Sequence, residues 1–170
     1  EYGGLNCPTW AILEGRTSHG VTWHFIEGGI DEGRIIATRA VPIEPGDTSQ
    51  VLNARCYEAA IDSFGEVIKE VAQGPDNGVR QDLSKRLRYY GRDARPSLLV
   101  DKLLSGEEIV RHLNALNFGP RYPNTLGLLR VANADSVVIL LDAQFVADET
   151  ISNAATFRGT KREVSFLELS

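Results

Sequence analysis

Two apolar runs, "GVTWHFI" at Gly20–Ile26 and "RIIATRAV" at Arg34–Val41, stand on either side of the short stretch "EGGIDEG". Both runs are rich in β-branched and aromatic residues, which suit a pleated, half-buried surface and predict strands. Neighbouring strands with so short a link are most simply antiparallel, so the chain is expected to form a hairpin with Glu27–Gly33 as its loop. Asp31 lies in that loop with Gly28, Gly29 and Gly33 around it. It has two readings. It is a turn former, since Asp accepts hydrogen bonds from local amides and tolerates unusual dihedrals. Or it is a carboxylate held for chemistry, with the glycines letting backbone approach a flat ligand closely.

The hairpin is followed by a switch in periodicity. Pro45-Gly46-Asp47-Thr48 is a turn, and Thr48 or Asp47 can cap a helix on which Leu52, Cys56, Ala60, Phe64, Ile68 and Val71 are expected along one face, until Gly74-Pro75 stops it. Upstream, Pro8–Leu13 predicts a short helix with Asn6 as cap and Gly15 as terminator. Residues 76 to 96 are polar and arginine-rich and are expected to be a linker crossing a surface. Ser105 and Glu108 form a capping box before an apolar stripe at Ile109, Val110, Leu113 and Leu116. Phe118–Asn124 is a stiff, proline-bounded loop, and Leu126–Val131, Ser136–Val146 and Glu163–Leu167 are strand-like. The expected fold is α/β with a small β-rich tail: residues 1–75, a linker over 76–104, and a helix plus β-rich subdomain over 105–170.

A chain of 170 residues, 42% of them hydrophobic, supports one moderate core or a core with an appendage. The net charge of −5 and pI near 5.2 disfavour a protein that grips nucleic acid by its phosphates. No apolar run is long enough to cross a bilayer, and Glu1-Tyr2-Gly3-Gly4 has neither region of a signal peptide. A first residue other than Met suggests a chain processed or cut from a longer one. Cys56 falls in the helical pattern as a small core residue, and its wide spacing from Cys7 does not suggest a metal site. A reducing, cytoplasmic setting is expected. His24 is expected to be a packed or hydrogen-bonded sheet residue, His19 a solvated turn residue, and His112 a helix-surface residue.

The segment "YGGLNCPTWAILEGRTSHGVTWHFIEGGIDEGRII" resembles the folate-dependent formyltransferases. The resemblance is carried by the glycine pair before a Pro-x-Trp-Ala-Ile helix, by Gly20-Val21-Thr22, and by Asp31-x-Gly33-x-Ile35. "VPIEPGDTSQVL" matches the proline-bounded opening of the family's long helix, and "SGEEIVRHLNALNFGPRYPN" resembles the approach to its C-terminal β domain. The resemblance implies the C-terminal part of a Rossmann-like formyltransferase domain followed by an OB-like subdomain. It implies 10-formyltetrahydrofolate as formyl donor, Asp31 as the catalytic proton-shuttle carboxylate, and Gly28, Gly29 and Ile30 as cofactor-binding positions beside the pterin. Formyl transfer requires a deprotonated amine and a stabilised oxyanion. A carboxylate serves the first need and not the second. The family's Asn and His fall upstream of Glu1, so a missing N-terminal half or a partner chain is implied.

Trp23-His24 is more similar to members that formylate small amines, such as hydroxyornithine, amino sugars and amino acids carried by peptide synthetases, than to those that act on methionyl-tRNA. The expected acceptor is therefore the primary amine of a small molecule or carrier-bound amino acid in natural-product biosynthesis, with tRNA not expected. The alternatives are a methionyl-tRNA formyltransferase and a non-catalytic formyltransferase-like binding module. Arg80, Arg86, Arg88, Arg92 and Arg95 are expected to be solvated, interspersed as they are with Asp82 and Asp93, and a contact to phosphate is the alternative.

Overall fold

A computed structural model describes residues 2–74, 77–85, 88–100, 105–132 and 137–140. The chain is α/β and divides into two compact units, Glu1–Ala94 and Arg95–Ser170.

In the first unit the order is β1 (Tyr2–Gly4), α1 (Cys7–Leu13), β2 (Ser18–His24), β3 (Ile35–Pro42), α2 (Ser49–Ala72), a short 3-10 turn at Leu83–Lys85, and β4 (Arg88–Tyr90). The expected hairpin is present: β2 and β3 are antiparallel from Ser18↔Pro42 to Trp23↔Ala37. A bulge between Trp23 and His24 then shifts the register, and His24 faces Ile35. His19 is paired with Val41 inside β2 rather than solvated in a turn.

α1 departs from expectation at its start. Asn6 occupies the cap position with φ 58° and its side chain caps nothing. Asn tolerates this left-handed conformation, which turns the chain from β1 into the helix. Burial of Trp10, Ala11 and Ile12 holds the helix in place.

α2 is the long helix expected, with the Thr48 hydroxyl accepting from the Val51 amide at 3.2 Å. Its buried face is not the one expected. Leu52, Cys56, Ser63 and Val67 are buried, whereas Phe64, Ile68 and Val71 are exposed. The reason is helical drift: each i+4 step overshoots a full turn by about 40°. Four such steps from Leu52 to Ile68 rotate the side chain by about 160°, while Ser63 and Val67 return to the starting face. Ser63 is useful there. Its hydroxyl accepts from the Trp23 indole N–H at 3.0 Å and so locks α2 to β2. A buried Thr9–Ser49 hydroxyl pair at 2.8 Å joins α1 to α2.

Arg88–Tyr90, in the stretch expected as a linker, is a strand running parallel to β1. An aromatic anchor explains it. Tyr90 is buried and stacks on Trp10, with ring centroids 3.9 Å apart and planes within 3°. The hydroxyls of Tyr90 and Tyr2 donate to the two oxygens of Glu14 at 2.8 and 2.6 Å. Gly4 is required at this contact: a Cβ there would lie 2.2 Å from the Tyr90 carbonyl oxygen.

The second unit contains α3 (Gly106–Ala115), β5 (Arg130–Ala132) and β6 (Val137–Ile139), the two strands antiparallel. Ser105 and Glu108 form the expected capping box. His112 is partly buried rather than at the helix surface, its Nδ1 donating to the Glu108 carbonyl at 2.7 Å. The core gathers Val100, Ile109, Leu116, Leu126, Leu129 and Val131. The strand expected from Leu126 begins only at Arg130, because Leu126 and Gly127 are bound instead to the Asn124 side chain. Ser136, the remainder of that run from Leu141 to Val146, and Glu163–Leu167 lie outside the described residues.

Candidate active site

The loop between β2 and β3 carries every residue singled out for chemistry in the sequence. Its base is closed by Phe25, whose amide donates to the Arg34 carbonyl at 2.9 Å. A bidentate pair reinforces the closure: Arg34 Nε and Nη2 donate to Glu27 Oε1 and Oε2 at 2.8 and 3.3 Å. The Arg34 side chain and then its backbone amide hold the Glu27 carboxyl below the usual carboxylate range. Gly33 is buried where a Cβ would stand 1.7 Å from the Phe25 carbonyl oxygen, so only glycine fits that crossing.

Asp31 is half-buried, with φ 56°. A left-handed conformation costs an L-residue roughly 1–2 kcal/mol, and Asp is among the few types that adopt it. Asp31 is thus held rather than merely permitted, and the Gln81 side chain supplies a restraint by donating to the carbonyls of Asp31 and Gly33 at 3.1 and 2.6 Å. Gln81 follows an isolated bridge in which Ile35 and Val79 exchange both backbone hydrogen bonds at 2.8 Å.

The Asp31 carboxylate faces a histidine. Asp31 Oδ1 lies 3.6 Å from His24 Nε2. His24 Nδ1 is 2.9 Å from the Phe25 carbonyl oxygen. A carbonyl only accepts, so Nδ1 carries the proton, and in the neutral ring Nε2 presents its lone pair toward Asp31. Cys7, at the start of α1, registers the same charge: burial first, and the negative charge of Asp31 second, push its thiol pKa up and keep it protonated.

Gly28, Gly29 and Ile30 lie along the exposed part of the loop. Gly28 has φ 70° and open space around its Cα. A Cβ at Gly29 would meet only the flexible end of Glu32. Ile26 and Ile30 are exposed, so two apolar side chains border this open backbone. His24 and Gln81 are the two participants the sequence does not signal. The first is brought to Asp31 by the β2 bulge and the second by a turn some 50 residues downstream, features that leave no local pattern. His19 packs near the Tyr2 ring instead.

Residues 1–68 match the formyl transferase family. The chain is 30% identical over 125 residues to the GDP-perosamine N-formyltransferase of Brucella melitensis, covering 74% of this chain and 47% of the relative. It is 23% identical over 164 residues to the methionyl-tRNA formyltransferase of Flavobacterium johnsoniae, covering 96% and 51%. Among solved structures, the N-formyltransferase of Helicobacter canadensis in complex with folinic acid and dTDP-3-aminofucose superimposes with a TM-score of 0.58 at 26% identity, covering 68% of this chain and 43% of that one. Over residues 1–68, and in the relatives and solved structure named, the chain is similar to the folate-dependent formyltransferases. It spans about half the length of the curated relatives named here.

Proposed function

We propose that the chain is the C-terminal part of an enzyme that transfers a formyl group from 10-formyltetrahydrofolate to the primary amine of a small molecule or carrier-bound amino acid. One observation carries this reading: Asp31 stands in a restrained left-handed conformation with its carboxylate 3.6 Å from His24 Nε2. When bound, 10-formyltetrahydrofolate supplies an activated formyl carbon. The loop suits a flat ring, since Gly28 leaves backbone uncovered and Ile26 and Ile30 offer apolar edges. Gly28, Gly29 and Ile30 would hold that ring. Asp31 takes the proton that the attacking amine must lose, and His24 stands beside it. The oxyanion would be stabilised by an Asn and a His supplied from upstream or by a partner chain.

A missing half also accounts for apolar surface. α2 exposes Ile61, Phe64 and Ile68 on one side, and β1 is hydrogen-bonded to β4 on one edge alone among the described strands. Uncovered faces and strand edges of this kind want a partner. In this reading residues 1–75 end a Rossmann-like catalytic domain, the linking stretch 76–104 returns to it through β4 before leading onward, and 105–170 form the OB-like subdomain, for which the β5–β6 pair is the support. Two free cysteines accord with a cytoplasmic setting. No helix among the described residues is long and apolar enough to cross a membrane.

The sugar-nucleotide amine formyltransferases among the relatives favour a small amine, and the acidic net charge disfavours tRNA. The test is to assay the complete protein with 10-formyltetrahydrofolate against a nucleotide-linked amino sugar, a carrier-bound amino acid and methionyl-tRNA. Formylation of either small amine in preference to tRNA is expected. Preference for methionyl-tRNA would overturn the acceptor assignment. Tight folate binding with no transfer to any acceptor would favour a non-catalytic module.

A further inference from the structure

We propose that Gln81 is a positioning residue for Asp31: its carboxamide, and not the glycine-rich loop itself, holds the carboxylate where the amine presents its proton. This rests on the reading of Asp31 as the proton-handling group.

The geometry is specific. One side-chain nitrogen, Gln81 Nε2, donates both its hydrogens, to the Asp31 carbonyl at 3.1 Å and the Gly33 carbonyl at 2.6 Å. Both bonds fall on the backbone that follows the Asp31 Cα, at its own carbonyl and at that of Gly33, and so fix the turn on which the carboxylate stands. The closure by Glu27 and Arg34 acts at the base, between positions 25, 27 and 34. A loop with three glycines has much freedom to lose, and Gln81 takes part of it away by contacts from another part of the chain.

Gln81 is itself fixed. The Ile35–Val79 bridge ties its segment to the first residue of β3, with two hydrogen bonds of 2.8 Å. Gly78 allows the approach: a Cβ there would meet the Arg34 side chain at 3.1 Å and the Phe25 ring at 3.2 Å. The segment after α2 therefore serves as a third edge of the hairpin, and its useful element is a donor aimed at two carbonyls. The same bonds link the carboxylate's position to residues beyond the segment that matches the family, which ends at residue 68.

The experiment compares Gln81→Met and Gln81→Glu, both of nearly native size and both lacking the donor. In the full chain, ¹⁵N relaxation should show the order parameters of the Ile30–Glu32 amides falling from about 0.85 toward 0.6 or below. In the complete protein, kcat should fall about tenfold to a hundredfold, the range expected when a reacting group is misplaced by about 1 Å, with the KM for the amine nearly unchanged. Native order parameters in both variants would overturn the proposal. So would a loop disordered by Glu and ordered with Met, because charge rather than donation would then be responsible. Failure of the underlying reading looks different. If Asp31→Asn turns over normally while the Gln81 variants free the loop, the role of Asp31 falls and the restraint by Gln81 stands.

Discussion

The two units each fasten a loop with a primary amide, and they use it differently. Asn124 in the second unit donates to the carbonyls of Leu116 and Gly127 at 2.8 and 2.7 Å and accepts from the amides of Leu126 and Gly127 at 2.9 and 3.0 Å. Its partners lie close in sequence and next to buried Leu116, Leu126 and Leu129. Gln81 in the first unit also bridges two carbonyls, but its partners are 48 and 50 positions away on a half-exposed loop. The local clamp shapes the chain over an apolar core. The distant one restrains a carboxylate without burying it. Identical chemistry thus contributes to stability in one place and to presentation in the other, and the difference lies in what the carbonyls belong to.

The comparison breaks most readily at Asn124. Asn124→Ala removes four hydrogen bonds and leaves partly buried backbone groups unpaired, so it should lower unfolding free energy by about 2–4 kcal/mol in urea titrations. A loss below about 0.5 kcal/mol would mean the loop is held by its prolines and apolar contacts alone. Next comes Gly33→Ala, which forces a Cβ against the Phe25 carbonyl. It should cost about 1–3 kcal/mol and disturb the amide resonances of residues 25–34 while those of the second unit stay in place. Ser105→Ala, which removes the hydroxyl of the capping box, should cost about 1 kcal/mol and show in the same urea titration.

The smallest effect is a pH dependence at the loop base. The folded-state pKa of Glu27 is lowered, chiefly by the Arg34 side chain. The stabilisation is therefore complete above the ordinary glutamate value of about 4.3 and is lost as pH falls through the lower folded-state value. NMR of the Arg34 guanidinium should follow that loss at pH below the ordinary glutamate value, and Glu27→Gln should abolish it. The exposed pair is screened by solvent, so global stability should change little.

How much of this was legible in the sequence depended on range. The hairpin could be read because β-branched and aromatic residues alternate locally around a glycine loop. α2 could be read as a helix from its spacing and its Thr48 cap, but its buried face could not, because successive i+4 positions drift around the axis and Ser63 was chosen by Trp23 across a packing interface. β4 looked like linker, since Arg88-Tyr89-Tyr90 has no period and its anchor, Trp10, lies far upstream. At the site, Asp31 stood out through its glycines and through the resemblance to a family. His24 and Gln81 did not, because each meets Asp31 only after the bulge and the left-handed turn have formed.

The most direct measurement is kcat for Asp31→Asn in the complete protein, with 10-formyltetrahydrofolate and its preferred amine. The substitution keeps the size and the left-handed preference of the residue and removes its capacity to take a proton. A fall of about a hundredfold to ten-thousandfold, with donor binding preserved, is predicted. Turnover within a few-fold of the native rate would contradict the assignment of proton transfer to this carboxylate.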